Sequence, residues 1–406
     1  MGTSYCVTII VGAGILGLPG AASQMAGANS VYVWLANLLL VIPLLFVFGK
    51  LISKSQSAGG VSDFVRLAFG SGVLFRFSQA LLIVTLVVGT AAIAIVGAEY
   101  FASSLGFNGF WTGMMAVGLI FLPTLINLAG IRLSGKWQSL AAALLISFLC
   151  LVIFSSVNHW NLDHIVSYDP QKFLGMWQAM GMVWFAFTGI EMVSFLGEEF
   201  KSPRIFILSL ATSILIIGFL YLGLAIAIKE SVAQENPLLV KSPISAILNE
   251  TLGSGYGKLG GLFGFLLIFV NLTAAILGAS RLIFAVGREG VLLPKAAGVL
   301  INGVPKTALS LLGVSSCILV VVILASGIPL TSFFTIISEN WFILYLLAIV
   351  SFLKLSDTSS ERVLGVLSLL LSLIFMSSFS WLLIIPAAVF LGTAIKFRKR
   401  STHVAK

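Results

Sequence analysis

An all-α integral membrane protein of about twelve transmembrane helices is the fold that this sequence predicts, on three observations. Hydrophobic residues fill 59% of the 406 positions and charged ones only 9%, where a soluble domain carries roughly 25% charged residues. Nearly the whole chain divides into apolar runs of about 20 residues, the length of helix that crosses a hydrocarbon core. The net charge of +9 is also unevenly placed. With the amino terminus inside, all but four of the 23 Lys and Arg fall on the same face, leaving Lys172, Lys229, Lys241 and Lys258 opposite. That bias follows the positive-inside rule and predicts a multi-pass topology with both termini cytoplasmic.

The first span, near residues 5–24, is interrupted by Gly12-Ala13-Gly14-Ile15-Leu16-Gly17-Leu18-Pro19, where an ordinary membrane helix would continue with Leu, Val or Phe. Unwound backbone cannot be hydrated inside a bilayer, so it survives there only where it lines a cavity or a ligand. No basic segment precedes this span and equally hydrophobic spans follow it, so it is expected to stay in the mature protein. Spans 2, 3 and 4 follow near 31–52, 73–104 and 110–130, with Glu99 close to the outer end of the third and expected at the interface. Span 5, Trp137 to Val157, has no ionisable residue. Span 6, near 173–197, is broken again at Phe187-Thr188-Gly189-Ile190-Glu191. Paired interruptions in corresponding places of two halves point to a transporter's substrate site.

Spans 7 to 10 are expected near 206–228, 257–287, 307–328 and 332–354, and spans 11 and 12 near 361–378 and 380–396. The longest polar connections, 53–72, 158–172 and 229–256, are too short to bury a core of their own, so the chain is one membrane domain. Two repeats of five helices each enter the membrane in opposite orientations, which predicts an inverted pair over 1–157 and 173–354 with two additional helices over 361–396. The basic tail Lys396-Phe397-Arg398-Lys399-Arg400 reads as a topological anchor beside anionic headgroups. Cys6, Cys150 and Cys317 lie in apolar runs, and an odd count gives no disulfide framework. The three histidines fall in one polar loop and the tail without metal-ligand spacing, so no metal site is expected.

Five stretches then occur in order. They are the glycine break with Pro19, Ser57-Ala58-Gly59-Gly60 after span 2, and Thr188-Gly189-Ile190-Glu191 in span 6. Glu198-Glu199-Phe200-Lys201-Ser202-Pro203-Arg204 follows, and Ser280-Arg281-Leu282-Ile283-Phe284-Ala285 with Arg288-Glu289-Gly290-Val291-Leu292-Leu293-Pro294 closes span 8. Together they resemble the amino acid/polyamine/organocation superfamily of transporters over almost the whole chain. Within it, Ala26-Gly27-Ala28-Asn29-Ser30 and residues 57–70 are most similar to bacterial exporters of methionine and branched-chain amino acids. The resemblance implies a secondary active amino-acid transporter of the plasma (bacterial inner) membrane.

An amino acid offers a carboxylate, an ammonium and a side chain, and a broken helix can serve the first two without any charged residue. Free N–H groups around Ala13, Gly14 and Ile15 can cradle the carboxylate at the positive end of the outer half-helix, with Gly12 and Gly14 permitting close approach. Carbonyls at Ile10 in span 1 and at Phe185 and Thr188 in span 6, beside Gly189, can take the ammonium. Resemblance to the arginine/agmatine antiporters of the superfamily implies the same placements, and it puts Phe185 where they carry an aromatic gate. Close helix packing is the alternative for the glycines, and packing or lipid contact for Phe185 and its neighbours Trp184 and Phe187. In span 8, Asn271 and Ala275 lie on the stretch that approaches the substrate side chain in those relatives. Asn271 could bond to the ligand or equally to another helix.

Glu99, Glu191 and Glu339 are the carboxylates within predicted spans. An ionised one at the bilayer centre costs about 2.5 to 3.5 kcal/mol, so such residues face a cavity, find a partner or stay protonated. Glu191, directly after the span 6 break, is the leading coupling or gating residue, and Glu339, beside Asn340 and Trp341, is the second. Some relatives carry a lysine in span 5, and its absence here places more weight on Glu191. The expected partners are thus an amino-acid substrate, protons (or sodium) as coupling ion, and the lipid bilayer. The expected function is proton-coupled efflux or exchange of neutral, hydrophobic L-amino acids (methionine, leucine, isoleucine, valine) by alternating access. An uptake carrier or antiporter for cationic amino acids or polyamines is the alternative. A channel would show a carbonyl filter or rings of pore charge. An enzyme would show a nucleophile with its base, or a metal cluster. No phosphate-binding G-x-x-x-x-G-K-[ST] loop occurs, so no nucleotide is expected. The one-sided placement of the basic residues argues against nucleic acid, and no cofactor is expected.

Overall fold

Residues 14–54, 60–107, 109–130, 135–189, 203–288, 298, 300–301 and 304–404 are described by the computed structural model of the chain. They form α1 (Gly14–Ala26), α2 (Ser30–Lys54), α3 (Gly60–Phe69), α4 (Val73–Leu105), α5 (Phe110–Leu128), α6 (Gly135–Ser156) and α7 (Phe173–Val183). These are followed by α8 (Pro203–Ser231), α9 (Pro243–Leu252), α10 (Ser254–Arg288), α11 (Lys306–Ser326), α12 (Leu330–Lys354), α13 (Ser359–Met376) and α14 (Ile384–Val404). Among the described residues the one strand pairing is a two-residue antiparallel ladder, Leu300↔Pro305 and Ile301↔Val304. The all-α membrane fold is therefore observed, and for a physical reason: in hydrocarbon each backbone N–H and C=O needs a partner within the protein, and a helix provides it locally.

Among the described residues nine helices are long and apolar enough to cross a membrane, against about twelve expected. Gly14–Lys54 counts as one of the nine although it holds the first two expected spans. The expected fifth and sixth spans pass only together, as Ala143–His159 and Leu162–Phe187 bent by 115°, and α7 itself stops after 11 residues. The apolar surface behaves as a membrane protein's should. Exposed Leu35, Leu39, Ile42 and Phe46 recur at helical spacing along one face of α2, while Val33, Leu40, Val41 and Leu44 on the other are buried. In water that exposed stripe would be an aggregation surface; in a bilayer it meets lipid.

Buried inside the bundle, α1 presents almost no face to the outside: Gly14 through Ser23 and Ala26 are all buried. It packs on α7, on the one-turn helix Leu238–Lys241 and on α8. Gly20 shows how tight this is, since a Cβ there would lie 1.7 Å from the Leu239 carbonyl oxygen. Among the described residues the most extensive helix contact is α4 along α10, where a Cβ on Gly261 would fall 2.0 Å from Ser104 Oγ. Small residues at such crossings let the backbones approach, the usual basis of helix association in lipid.

Each end of α2 is tied down by polar contacts. At one end Asn29, just before α2, and Asp169 exchange two bonds of 2.8 Å, Nδ2 to the Asp169 carbonyl and the Asp169 N–H to Oδ1. Lys229 of α8 adds donations to the carbonyls of Ala28 (2.6 Å), Ile165 (3.0 Å) and Ser167 (3.4 Å) and to Ser167 Oγ (3.2 Å). At the other end Lys50 pairs with Glu361 at 3.1 Å, and Lys54 pairs with Asp357 at 2.6 Å. Glu361 also belongs to a capping arrangement of α13: Thr358 Oγ1 accepts from the Glu361 N–H while Glu361 Oε2 accepts from the Asp357 N–H.

Candidate functional site

The described start of α1 at Gly14 and the end of α7 meet inside the bundle. Pro19, within α1, has no N–H and leaves the Ile15 carbonyl without its helical donor. On the facing side α7 ends at Val183 and the chain tightens into a 3-10 turn, Trp184–Phe187. Thr188 is then extended, at φ −75° and ψ 161°, and Gly189 takes φ 117°, a value that favours glycine. The break thus starts at Trp184, before the Phe187 to Glu191 stretch in which the sequence locates it. The two elements touch, because a Cβ on Gly14 would lie 3.5 Å from the Ala186 Cα.

Neighbouring helices satisfy much of the broken backbone. Ser338 Oγ of α12 accepts from the Phe185 N–H at 2.7 Å and donates to the Met182 carbonyl at 2.5 Å. Tyr221 of α8 donates to the Ala186 carbonyl at 2.7 Å, and Asn37 of α2 to the Met180 carbonyl at 3.2 Å. Across the gap Tyr100 of α4 donates to the Leu16 carbonyl at 2.6 Å while its oxygen accepts from the Ile244 N–H at 3.4 Å. Ser338, Tyr221 and Tyr100 were not among the residues expected at the site. The available signal was a polar atom in the middle of an apolar run, which a bilayer-embedded helix carries only with a partner.

The expected residues fall into three groups. Ile10, Gly12, Ala13 and Glu191 lie outside the described residues. Gly14 meets the turn at Ala186, with Ile15 next to it on α1 and Phe185, Thr188 and Gly189 on the broken segment. The Phe185 carbonyl, expected to receive an ammonium, accepts here from both the Thr188 N–H (3.3 Å) and Thr188 Oγ1 (2.8 Å), which uses its two lone pairs. Half-buried Asn271 and Ala275 sit on α10, which packs chiefly along α4 and α9. Among the described residues no hydrogen bond joins either of them to α1 or the break.

The three aromatics of the turn divide by burial. Trp184 is wholly buried, edge-on to Phe342, Tyr345 and Phe375, and Phe187 is wholly buried against Trp34 and Tyr221. Phe185 alone is half-buried. It stacks on Phe334 of α12 at 6.3 Å between centroids, and the Phe334 ring tip lies 3.4 Å from where a Cβ on Gly17 would stand. An aromatic pair therefore borders the start of α1. Glu339 faces elsewhere: its Oε1 accepts from the N–H (2.7 Å) and Oγ (2.8 Å) of Ser380, in the connection from α13 to α14. Among the described residues no charged side chain bonds to Gly14, Phe185 or Ala186, so main-chain groups, the hydroxyls of Ser338, Tyr221 and Thr188, and apolar walls make up the described part of the site.

A family model described as amino acid permease matches residues 3–403. Among curated proteins, the L-methionine/branched-chain amino acid exporter YjeH of Escherichia coli (strain K12) is 24% identical over 99% of this chain and 96% of its own length. An uncharacterized amino acid permease, YecA of Bacillus subtilis (strain 168), is 24% identical over 100% of this chain and 96% of its own. Cationic amino acid transporter 5 of Arabidopsis thaliana is also 24% identical, over 70% of this chain and 52% of its own.

Proposed function

Because this chain belongs to the amino acid permease family, we propose that it is a secondary active carrier of neutral, hydrophobic L-amino acids, methionine, leucine, isoleucine and valine among them, working by proton-coupled efflux or exchange. The observation that carries the reading is the meeting of the α1 start with the Trp184–Phe187 turn at Gly14 and Ala186. N–H groups at the positive end of α1 suit a carboxylate, and carbonyls near the break suit an ammonium. The Phe185–Phe334 wall suits an apolar side chain and supplies no counter-charge to a cationic one. The name of the full-length Escherichia coli relative, an exporter of methionine and branched-chain amino acids, supports the same substrate class.

Alternating access fits two inverted five-helix repeats, 1–157 and 173–354, each opening with an interrupted helix, followed by the pair α13 and α14. In this reading the protein lies in the plasma (bacterial inner) membrane with both termini cytoplasmic. Glu191 carries the coupling proton, with Glu339 as the second such group and sodium as the alternative ion. In liposomes holding the purified protein, labelled methionine should show saturable counterflow. Unlabelled leucine should compete with it far better than arginine or agmatine. Stronger competition by arginine would overturn the neutral-substrate reading in favour of a cationic amino acid or polyamine carrier. With an imposed pH difference, Glu191→Gln should keep counterflow but lose pH-driven accumulation, since glutamine holds the shape without a titrating proton. Accumulation at the wild-type level would remove Glu191 from coupling.

A further inference from the structure

The Ser338 hydroxyl lies 153 positions from Phe185 in sequence, yet it is hydrogen-bonded on both sides to the turn that ends α7. In an uninterrupted helix the Phe185 N–H would donate to the Gly181 carbonyl, and the Met182 carbonyl would accept from the Ala186 N–H. Here one fully buried side chain accepts from the first of these donors and donates to the second of these acceptors. We propose that Ser338 is the positioning residue of the site: its hydroxyl stands in for helix hydrogen bonds at the break, holding the chain out of the α-helical path so that Phe185 faces the start of α1.

Neighbouring contacts fix the hydroxyl in turn. Successive residues of a helix point about 100° apart, and the next residue, Glu339, is anchored on Ser380 by two bonds. The same connection also packs closely on α7, since a Cβ on Gly181 would lie 2.9 Å from the Ser378 carbonyl oxygen. Phe334, one turn before Ser338, stacks on Phe185 itself. α12 therefore reaches the break through a ring and a hydroxyl from the same face, while Glu339 sets the rotation of that face. Threonine keeps the hydroxyl. Cysteine keeps the volume but bonds weakly, and alanine removes the polar atom.

This inference rests on the substrate reading above for its functional half, and its first test needs no substrate. Hydrogen–deuterium exchange in detergent reads the Phe185 amide directly. Ser338→Ala and Ser338→Cys should both exchange about tenfold faster or more in the segment holding Phe185, with protection restored in Ser338→Thr. Wild-type protection in both Ala and Cys variants would overturn the proposal. So would a defect confined to Ala, because that pattern reports lost volume. In counterflow, the Ala and Cys variants should need about tenfold more methionine for half-saturation while keeping most of the maximal rate. Lost protection with an unchanged half-saturation would also overturn it, since the hydroxyl would then hold the chain without serving the site. If wild-type protein moves no amino acid at all, the transport reading fails by itself and the exchange measurement still decides the hydroxyl's role.

Discussion

At Gly14 the available space is specific enough to predict two different substitutions. An added Cβ would meet Leu18 at 3.4 Å and the Ala186 Cα at 3.5 Å, ordinary contact distances. Gly14→Ala should therefore leave methionine binding within a few-fold of wild type. Gly14→Leu would drive an isobutyl group into the Ala186 backbone and cover the first N–H groups of α1. It should abolish binding while the protein remains folded, followed as the loss of ligand-dependent thermal stabilisation. Wild-type stabilisation in the leucine variant would remove the start of α1 from the site. Gly14 was singled out by a local signal, glycine in an apolar run, and Phe185 by the resemblance to the antiporters. Ser338, Tyr221 and Tyr100 were not, because each acts on a main-chain carbonyl or N–H of another helix and no periodicity marks such a pairing.

At the level of elements, the helices lie close to their expected positions, as α4 over Val73–Leu105 and α12 over Leu330–Lys354 illustrate. A run of apolar residues about as long as the hydrocarbon is thick has few alternatives. The start of the second break was less legible. Thr188 and Gly189 mark where the turn ends, and the helix gives way earlier at Trp184 through contacts with α12 that local propensity cannot report. The connection 158–172 read as polar loop, yet it holds a one-turn helix at Leu162–Ile165 and a 3-10 turn at Pro170–Lys172. Asn161 and Asp169 cap these, accepting from the Asp163 N–H at 3.0 Å and the Gln171 N–H at 2.9 Å. Short polar side chains that bond two residues ahead are a turn signal, so this structure was readable in principle.

Across the whole molecule, the 158–172 connection lies over the end of α2 and is bound there by Asn29, Tyr32 and Lys229. Lys229→Met would keep most of the stem's volume and remove four hydrogen bonds. Amide exchange in 158–172 should quicken by about tenfold while the melting temperature moves by only a few degrees. Unchanged exchange would show that the strap is held by its other contacts. The small thermal effect is expected because none of the four hydrogen-bond partners of the ammonium is a carboxylate, so burial strips a cation of water with only the neighbouring Glu230 charge in partial return. Releasing the strap gives that hydration back and so offsets much of what the broken bonds cost. A fastening of this kind is strong in geometry and shallow in free energy. On the carrier reading proposed above, a protein that leaves each of its states on every cycle needs shallow fastenings, because a deep one would hold it in a single well.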